Sequence, residues 1–520
     1  MASARPHEID PFQTPPSSRP WAGLGLRSDL ALAALLMGLG AALRLAWFSG
    51  VGLADDVQWI AYLNTVDNTG SVPRDNVAYR FTWWLPTLAA CRLFGFTETA
   101  LIGPVLAAAT LGIGIVYALG VILAGRAGGL IAALLLIVLP LDFAWSTMMT
   151  NDVLVSLFCA VAMGCALLAA EGGDHRRKRW LWGAAAAALW LAIHAKLNAI
   201  LMLPVLALAC WRRRDRMDAE ALWFVIVGLT LVSGSLAASS RVLGDVFAPY
   251  HAEMAAQGLT EPQVAIKFHR LTASDFWTWF RVLFRPSNLD TLLFSIEPHL
   301  LILAVVLARP LGLSLPLELV AWLLVFLLGM QFNSMRQWEG VWVAGFRNVR
   351  HAHVLAYPIV LLLGVALAQM GRRWPRWLLA GMAALLPVGL WQSIATADKT
   401  RTAFADRRAV RLFLAGQAAG TVYSDFQLPA SLSFVNALPF QPLDIERERR
   451  RREIAAITTG YVVTGGAREP VYGCVECIPR AAELPPGRWT LKLEVTGPAP
   501  SRWRPEPLRV WQAAEPVPQM

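Results

Sequence analysis

The sequence predicts a polytopic α-helical membrane protein with outer-face loops and a small soluble α/β domain at its C-terminus. Hydrophobic residues make up 56% of the 520 residues and charged residues only 16%, whereas soluble globular domains are about 45–50% apolar and about 25% charged. The apolar residues lie in long blocks, many of them close to the length of a helix that crosses a bilayer. After about residue 395 the apolar runs become short and alternate with polar residues, as they do in strands.

Composition excludes several other classes of protein. Six cysteines in 520 residues do not make a disulfide scaffold, and 39 glycines and 32 prolines without a period do not make a collagen-like chain. The net charge of +10 is typical of a membrane protein whose basic cytoplasmic loops contact anionic lipid. The chain carries no nucleic-acid-binding motif, so membrane lipid is an expected partner and nucleic acid is not.

The apolar blocks predict about eleven spans, which make up a domain over residues 28–394. They lie near residues 29–48, 99–124, 127–143, 152–170, 180–193, 197–211, 221–238, 291–308, 313–330, 354–370 and 377–394. Residues 1–27 are rich in proline, serine and arginine and predict a disordered cytoplasmic tail. The first apolar block starts too late for an ordinary signal peptide, so we interpret it as an uncleaved span.

Basic residues decide the orientation, because they accumulate in cytoplasmic loops. With the N-terminus in the cytoplasm, eleven spans place all five basic segments on the cytoplasmic side. These are Arg126, residues 175–179, residues 212–214, Arg309 and residues 371–376. The long segments 49–98, 239–290 and 331–350 then lie outside. The apolar stretch Phe81–Phe94 would break this parity as a crossing, so we expect an interfacial or re-entrant helix on the outer face.

Residues 395–520 predict a small extracytoplasmic α/β domain. Strands are expected at 421–424, 460–464 and 489–495, and a charged helix at 444–457. Cys474 and Cys477 form a lone C-x-x-C pair in this domain. In an oxidising compartment such a pair favours a disulfide over a redox site or half of a metal site.

The first outer loop carries two adjacent carboxylates, Asp55 and Asp56, soon after the first span. One of them could cap a helix over residues 57–66. The pair could also divide two chemical roles, since one carboxylate can accept a proton while the other holds a metal, a sugar hydroxyl or a cation.

Three more polar clusters fall at predicted outer ends of spans. Asp152 begins the fourth span and competes with Asn151 for the N-cap position. Lys196 lies at a hairpin tip, where it could reach a lipid phosphate or neutralise a substrate phosphate. Arg347 and Arg350 bring positive charge to the outer side, against the usual bias. Outer cations with outer carboxylates indicate a site for a phosphorylated, membrane-borne substrate.

Several motifs follow one another in a fixed order: RLFGF at 92–96, YALG at 117–120, GRAGGLIAAL at 125–134, Pro140, TNDVL at 150–154, Ala195 with Lys196, and Arg350 with Pro358. This ordered series resembles the PMT_2 group of polyprenyl-phosphate-sugar-dependent glycosyltransferases, which have the GT-C fold. This group includes protein mannosyltransferases and the aminoarabinose transferase of lipid A. The resemblance covers about 90 residues well. Two features depart from the group's pattern: a proline pair after Arg80 is missing, and Met148 and Met149 stand near the position of an arginine before Asp152.

The resemblance implies transfer of a sugar, with inversion, from a polyprenyl-phosphate donor to a glycolipid, glycan or protein acceptor on the outer face. Asp55 or Asp56 would be the catalytic base, with Asp55 preferred. Asp152 would orient the acceptor or the base, and the donor phosphate would be bound by Arg80, Lys196, Arg347 and Arg350. No cofactor is required, although a divalent metal is compatible with the carboxylates. Arginine- and alanine-rich usage fits a bacterial inner membrane with the C-terminal domain in the periplasm.

Two rival classes remain open at this stage. A transporter or flippase of lipid-linked sugars would share the many spans and the cations, and Arg44 is the clearest charged residue inside a span that could serve it. A non-catalytic assembly protein with an external binding domain leaves the paired aspartates without a role.

The predicted orientation can be tested with reporter fusions. A reporter that is active only in the periplasm is expected to work when fused after Gln392 and to be silent when fused near Arg213. The opposite pattern would contradict the topology.

Overall fold

The computed structural model describes residues 26–514 with gaps. The residues left out within that range are 52–54, 74–76, 172–173, 217, 249–250, 252–268, 271–296, 309, 334, 339–340, 345–348, 404, 418–419, 425–439, 445, 466–478 and 497–506. Most of the predicted N-terminal tail therefore lies outside the described residues, as do Cys474 and Cys477.

Helices dominate the described chain before the C-terminal sheet. They are α1 Leu26–Ala46, α2 Asp55–Thr69, α3 Phe81–Phe94, α4 Glu98–Ile137, α5 Pro140–Trp145, α6 Asp152–Glu171, α7 His175–Ala195, α8 Met202–Arg212, α9 Leu222–Leu243, α10 Glu297–Ala308, α11 Leu317–Asn333, α12 Ala356–Arg373 and α13 Pro375–Ala403. Short 3₁₀ turns at Leu197–Leu201 and Val349–Leu355 lead into α8 and α12. Each apolar block of the sequence overlaps one of these helices, and α3 has the predicted bounds.

Six helical segments of the described chain are long and apolar enough to cross a membrane. They are Arg27–Ala46, Glu98–Ile137, Asp152–Glu171, Ala219–Leu243, Ala352–Arg373 and Pro375–Thr402. Large apolar side chains on α9 face outward; Leu229 is 63% exposed. Such a surface suits lipid and not water. The membrane class is confirmed, and the total of eleven crossings stays a prediction.

The long helix α4 consists of two antiparallel halves. Gly125 has a φ of 80° and a ψ of −177°, a conformation open chiefly to glycine. In a straight helix Gly120 and Gly129 would be roughly 13.5 Å apart, yet a Cβ on Gly120 would lie 2.6 Å from the Cα of Gly129. The chain therefore reverses at Gly125, as the separate blocks 99–124 and 127–143 predict. The glycines permit this approach, as small residues do between membrane helices.

A buried network of charged and polar side chains joins several of these helices. Arg44 of α1 forms an ion pair with Asp142 of α5, and both side chains are fully buried. His353 Nε2 lies 2.8 Å from Asp142 Oδ1, and His353 Nδ1 lies 2.8 Å from Ser156 Oγ. The Asp142 carboxylate of α5 thus contacts α1 and the turn before α12 directly, and it reaches α6 through His353.

The other donors of Arg44 are also used. Its Nε donates to Ser146 Oγ at 2.9 Å and its Nη1 donates to the Gly40 carbonyl at 3.0 Å. A buried guanidinium needs such partners to offset its loss of hydration. Arg44 therefore holds the helices together instead of standing along an open path, which removes the feature that favoured a transporter.

The C-terminal part forms the expected small α/β fold. Helix α14 Ala405–Ala415 and helix α15 Arg447–Ala456 accompany a five-stranded sheet in the order β5-β4-β6-β8-β7. The strands are β4 Val422–Ser424, β5 Phe440–Pro442, β6 Tyr461–Thr464, β7 Trp489–Val495 and β8 Leu508–Ala513. Strand β4 pairs in parallel with β5 and β6, while β8 pairs antiparallel with β6 and β7. Three predicted strands and the charged helix are present.

Two features of this region differ from the sequence prediction. Strands β5 and β8 were not expected. Helix α13 also continues through the predicted domain boundary at residue 395 and ends at Ala403.

A second sheet, antiparallel and three-stranded, consists of β1 His269–Arg270, β2 Met335–Trp338 and β3 Val341–Ala344. Its strand order is β1-β3-β2.

The buried ion pair makes a testable prediction about stability. Asp142→Asn leaves the Arg44 charge uncompensated in the interior, which typically costs about 3–5 kcal/mol. Thermal unfolding of the purified protein in detergent is expected to occur at a clearly lower temperature. The double variant Arg44→Met, Asp142→Asn removes the stranded charge and should recover part of the loss. Arg509→Gln, which removes a partly exposed pair with Glu494, is the control. A wild-type melting temperature for Asp142→Asn would contradict the prediction.

Candidate active site

Asp152 and Lys196 form an ion pair where α6 begins and α7 ends. Lys196 Nζ donates to Asp152 Oδ1 at 2.7 Å. The lysine side chain is 18% exposed and the aspartate side chain 4% exposed. Thr150 Oγ1 donates to the second carboxylate oxygen at 3.1 Å. The sequence selected both residues separately, and the structure brings them into contact.

Asn151 and not Asp152 takes the N-cap position of α6. The Asn151 carbonyl accepts a hydrogen bond from Val155 N at 3.1 Å, as an N-cap carbonyl does. Its side-chain amide donates to the Ala195 carbonyl at 2.7 Å, which ties α6 to the end of α7. Asp152 is the first helical residue, so its carboxylate is available to Lys196 and is stabilised by the helix dipole.

Arg80 immediately precedes α3, in a segment that contacts the last turns of α7. Arg80 is 9% exposed, and its Nε donates a hydrogen bond to Tyr79 Oη at 3.2 Å. The Tyr79 carbonyl accepts from His194 Nδ1 at 3.1 Å, and Thr82 Oγ1 donates to the Leu191 carbonyl at 3.0 Å. Arg80 and Lys196 therefore belong to segments that meet at the same end of α7.

His194 makes this junction, a role that the sequence did not indicate. The centroid of its ring lies 4.5 Å from that of the Phe81 ring, which is tilted against it, and 4.9 Å from that of the Trp190 ring, in an edge-to-face contact. Its Nε2 lies 3.1 Å from Ser235 Oγ of α9. Its position two residues before Lys196 was the one hint in the sequence. The role itself depends on hydrogen-bond partners that are 115 and 41 residues away.

Asp55 and Asp56 begin α2, and their side chains lie outside the described part of the chain. Both residues lie in the first turn of the helix. The helix therefore begins before residue 57, and neither aspartate is the non-helical residue that precedes it. Helix α2 packs on α3 through Trp59 and Trp83, whose ring centroids are 4.6 Å apart. These rings lie near the beginnings of both helices, which brings the backbone of the two aspartates to the start of α3.

The chain that leads into α2 also contacts the segment before α6. Gly50 N donates to the Thr147 carbonyl at 3.0 Å, and Thr147 Oγ1 donates to Ser49 Oγ at 3.0 Å. The beginnings of α2, α3 and α6 and the end of α7 thus converge. Acidic and basic candidate residues from four separate parts of the sequence lie in this region, which we call the candidate active site.

Two predicted arginines are not placed by side chain. Arg347 lies outside the described residues, and only the backbone of Arg350 is described, in the 3₁₀ turn Val349–Leu355. His353 of the same turn faces the interior and contacts Asp142.

A separate group of His175, Asp218 and Glu220 has ligand atoms within 4.8 Å of one another. It lies at the opposite end of α7 from Lys196, and cations already occupy its carboxylates. Lys178 hydrogen-bonds to Asp218 and holds the pKa of that carboxyl below its usual value. Arg179 Nη2 lies 3.5 Å from Glu220 Oε1. We interpret the group as an ion-pair cluster that joins α7 to the start of α9.

Comparison with known proteins supports the fold and gives a family match over part of the chain. Residues 81–237 match the family model described as dolichyl-phosphate-mannose-protein mannosyltransferase, PMT_2. Apo ArnT from Cupriavidus metallidurans superposes with a TM-score of 0.59 at 13% identity, covering 93% of this chain and 98% of that one. No curated protein sequence matches the chain.

Two further structures have the same fold. ArnT from Cupriavidus metallidurans bound to undecaprenyl phosphate gives a TM-score of 0.56 at 13% identity, over 94% of this chain and 97% of that one. The Archaeoglobus fulgidus oligosaccharyltransferase tethered to an acceptor peptide gives 0.53 at 12% identity, over 85% and 69% of the two chains. The predicted fold class is therefore confirmed: this is a multi-pass membrane protein with the GT-C fold, and its residues 81–237 match the PMT_2 family model.

Proposed function

We propose that the chain is an integral membrane glycosyltransferase that transfers a sugar from a polyprenyl-phosphate donor to a lipid, glycan or protein acceptor on the outer face of the membrane. The observation that carries this proposal is the Asp152–Lys196 ion pair at 2.7 Å, at the junction where α2, α3 and α6 begin. The PMT_2 match spans both residues, and a structure with the same fold holds undecaprenyl phosphate.

The donor phosphate fits the basic side of this junction. A polyprenyl tail lies in the bilayer, so its phosphate sits at headgroup depth, where the ends of spans and their charges lie. Lys196 and Arg80 are contributed by the two segments that His194 joins. They neutralise the charge that develops on the phosphate leaving group, together with Arg347 and Arg350 from the segment before α12.

The reaction is a single displacement. The acceptor oxygen attacks the anomeric carbon, the bond from that carbon to the phosphate oxygen breaks, and the configuration inverts. The acceptor proton passes to a carboxylate of α2, and polyprenyl phosphate leaves as the anion. Asp55 is our choice for the base over Asp56. Both carboxylates belong to the first turn of α2, where the helix dipole favours their ionised form.

Asp152 holds Lys196 in place and prepares the site for the donor. In the resting site, the ion pair balances the lysine charge at a mostly buried position. An arriving phosphate shares the lysine with Asp152, and the aspartate then orients the acceptor or the base. The cations serve the leaving group without a metal, and a divalent ion remains compatible with the carboxylates of α2.

The predicted setting is a bacterial inner membrane, with the N-terminus in the cytoplasm and the C-terminal domain in the periplasm. The alternative function is transport of lipid-linked sugars across the bilayer. It loses support because Arg44, the charged residue inside the first span, is fully engaged with Asp142, Ser146 and Gly40.

Phosphate binding at Lys196 can be tested with undecaprenyl phosphate as the probe. Lys196→Met removes a charge-assisted contact and is expected to weaken binding about 10-fold or more. Lys178→Met is the matched control, because Lys178 lies at the other end of α7 and pairs with Asp218. Asp152→Asn leaves the lysine charge in place and should retain the affinity while lowering turnover. Wild-type affinity in Lys196→Met would contradict the assignment.

The base can be identified with single variants in cells. Asp55→Asn is expected to abolish the sugar-dependent mass increment on the acceptor without lowering the level of the protein, because an amide accepts no proton. Asp67→Asn is the control, since Asp67 lies on the same helix in an exposed pair with Arg92. Loss of the increment in Asp56→Asn alone would move the assignment to Asp56. Full activity of both variants would contradict the proposed function.

A further inference from the structure

We propose that Glu98, Arg408 and Arg411 form a clamp that positions the first outer loop, and with it the aspartates of α2, for sugar transfer. The inference rests on the proposed function and adds positioning residues to it. It also gives the C-terminal domain a role in the reaction, because two members of the clamp come from α14.

The clamp grips the backbone just before α2. Glu98 Oε1 accepts a hydrogen bond from Val51 N at 2.7 Å. Arg408 Nη2 donates to the Ser49 carbonyl at 2.8 Å. Val51 is four residues before Asp55, so holding Val51 restricts where α2 can begin.

Both oxygens of the Glu98 carboxylate are used. Arg411 Nη2 donates to Glu98 Oε2 at 2.8 Å, and Arg408 Nη2 donates to Glu98 Oε1 at 3.2 Å. The side chain of Arg411 is 9% exposed and that of Glu98 is 17% exposed. Charge-assisted hydrogen bonds at such sheltered positions are stronger than exposed surface pairs.

Gly50 shows how closely the clamp surrounds the chain. Its φ is +91°, and a Cβ built on it would collide with Arg408 Nη2 and Glu98 Oε1. From the other side, the Thr147 carbonyl accepts from Gly50 N at 3.0 Å. The entry to the first outer loop is therefore held between α14, the start of α4 and the segment that leads to Asp152.

An adjacent face of α14 is anchored in the C-terminal sheet. Val410 and Leu414 are fully buried with Val422, Val463 and Val510 of the strands. Helix α14 thus has one apolar face fixed to the sheet, while Arg408 and Arg411 reach the loop. Packed side chains and short hydrogen bonds connect the sheet to the loop. A shift of the sheet would therefore move the loop as well.

Positioning matters here because a general base must lie within hydrogen-bond reach of the proton that it accepts. A misplacement of about 1 Å costs roughly 100-fold in rate. Among the described residues, no hydrogen bond joins the clamp to the Asp152–Lys196 pair, so the clamp should affect turnover and leave the binding of the donor phosphate unchanged.

The test uses the full-length protein in nanodiscs with three readouts. Glu98→Gln and Arg411→Met are expected to raise amide hydrogen exchange in peptides that cover residues 49–60, and to lower the rate of product formation about 10- to 100-fold. Affinity for undecaprenyl phosphate should stay within about 2-fold of wild type, since Lys196 is untouched. Arg411→Lys keeps the charge and should restore most of the activity. Arg509→Met, which breaks a pair with Glu494 elsewhere in the C-terminal sheet, should change none of the three.

Two results would overturn the inference. One is wild-type exchange at residues 49–60 together with wild-type turnover in Glu98→Gln and Arg411→Met. The other is a general rise in exchange with loss of undecaprenyl phosphate binding in Arg411→Lys as well, which would show a structural role only. Failure of the proposed function is recognised separately, because active Asp55→Asn and Asp56→Asn variants would refute it whatever the exchange data show.

Discussion

The buried ion pair between Asp142 and Arg44 is the interaction on which the rest of the structure depends. The Asp142 carboxylate meets Arg44 from α1 and His353 from the turn before α12, and His353 reaches Ser156 of α6. Ser156 Oγ in turn donates to the Asp152 carbonyl at 3.1 Å. The side chains of Arg44, Asp142 and His353 are fully buried, so the charges of Arg44 and Asp142 need each other and their hydrogen-bond partners to offset the loss of hydration. This network therefore fixes the first turn of α6, which carries Asp152.

The candidate active site is built from the ends of helices and not from their middles. A charge at the end of a span costs less than one at the bilayer centre, and helix N-termini favour carboxylates. Asp55, Asp56 and Asp152 all lie in first turns, while Lys196 follows the last residue of α7. The interior network and the clamp at Glu98 fix these ends relative to one another. A rigid scaffold thus presents both signs of charge where a lipid-linked phosphate would arrive.

Much of this arrangement could be predicted from the sequence, because local patterns carry it. The apolar blocks gave the helices, and α3 has the expected bounds. Strand β8 was also within reach, since Leu508 and Val510 are buried and alternate with more exposed residues. Asp152 and Lys196 were selected for their positions near predicted span ends. Their pairing was not foreseen, because α6 and α7 must form an antiparallel pair to bring them together.

The missing parts depend on contacts between distant residues. Asp142 and His353 are 211 positions apart, and Glu98 and Arg411 are 313 apart. Asp142 is a single polar residue in an apolar stretch, whereas His353 and Arg411 each stand among other polar residues, so no local pattern identifies their partners. The two spans on either side of Gly125 were predicted, but the close approach of Gly120 to Gly129 that packs them together was not. The position of Asn151 as the N-cap depends in part on the Ala195 carbonyl that its side chain finds.

The most direct test of the account compares the envelope glycolipids, polysaccharides and glycoproteins of three kinds of cells by mass spectrometry. These are cells that lack the chain, cells restored with it, and cells restored with the double variant Asp55→Asn, Asp56→Asn. The account predicts a mass increment of one sugar that returns only with the intact aspartates, and this increment would name the sugar and the acceptor. Equal rescue by the double variant would contradict a catalytic role and favour transport or assembly.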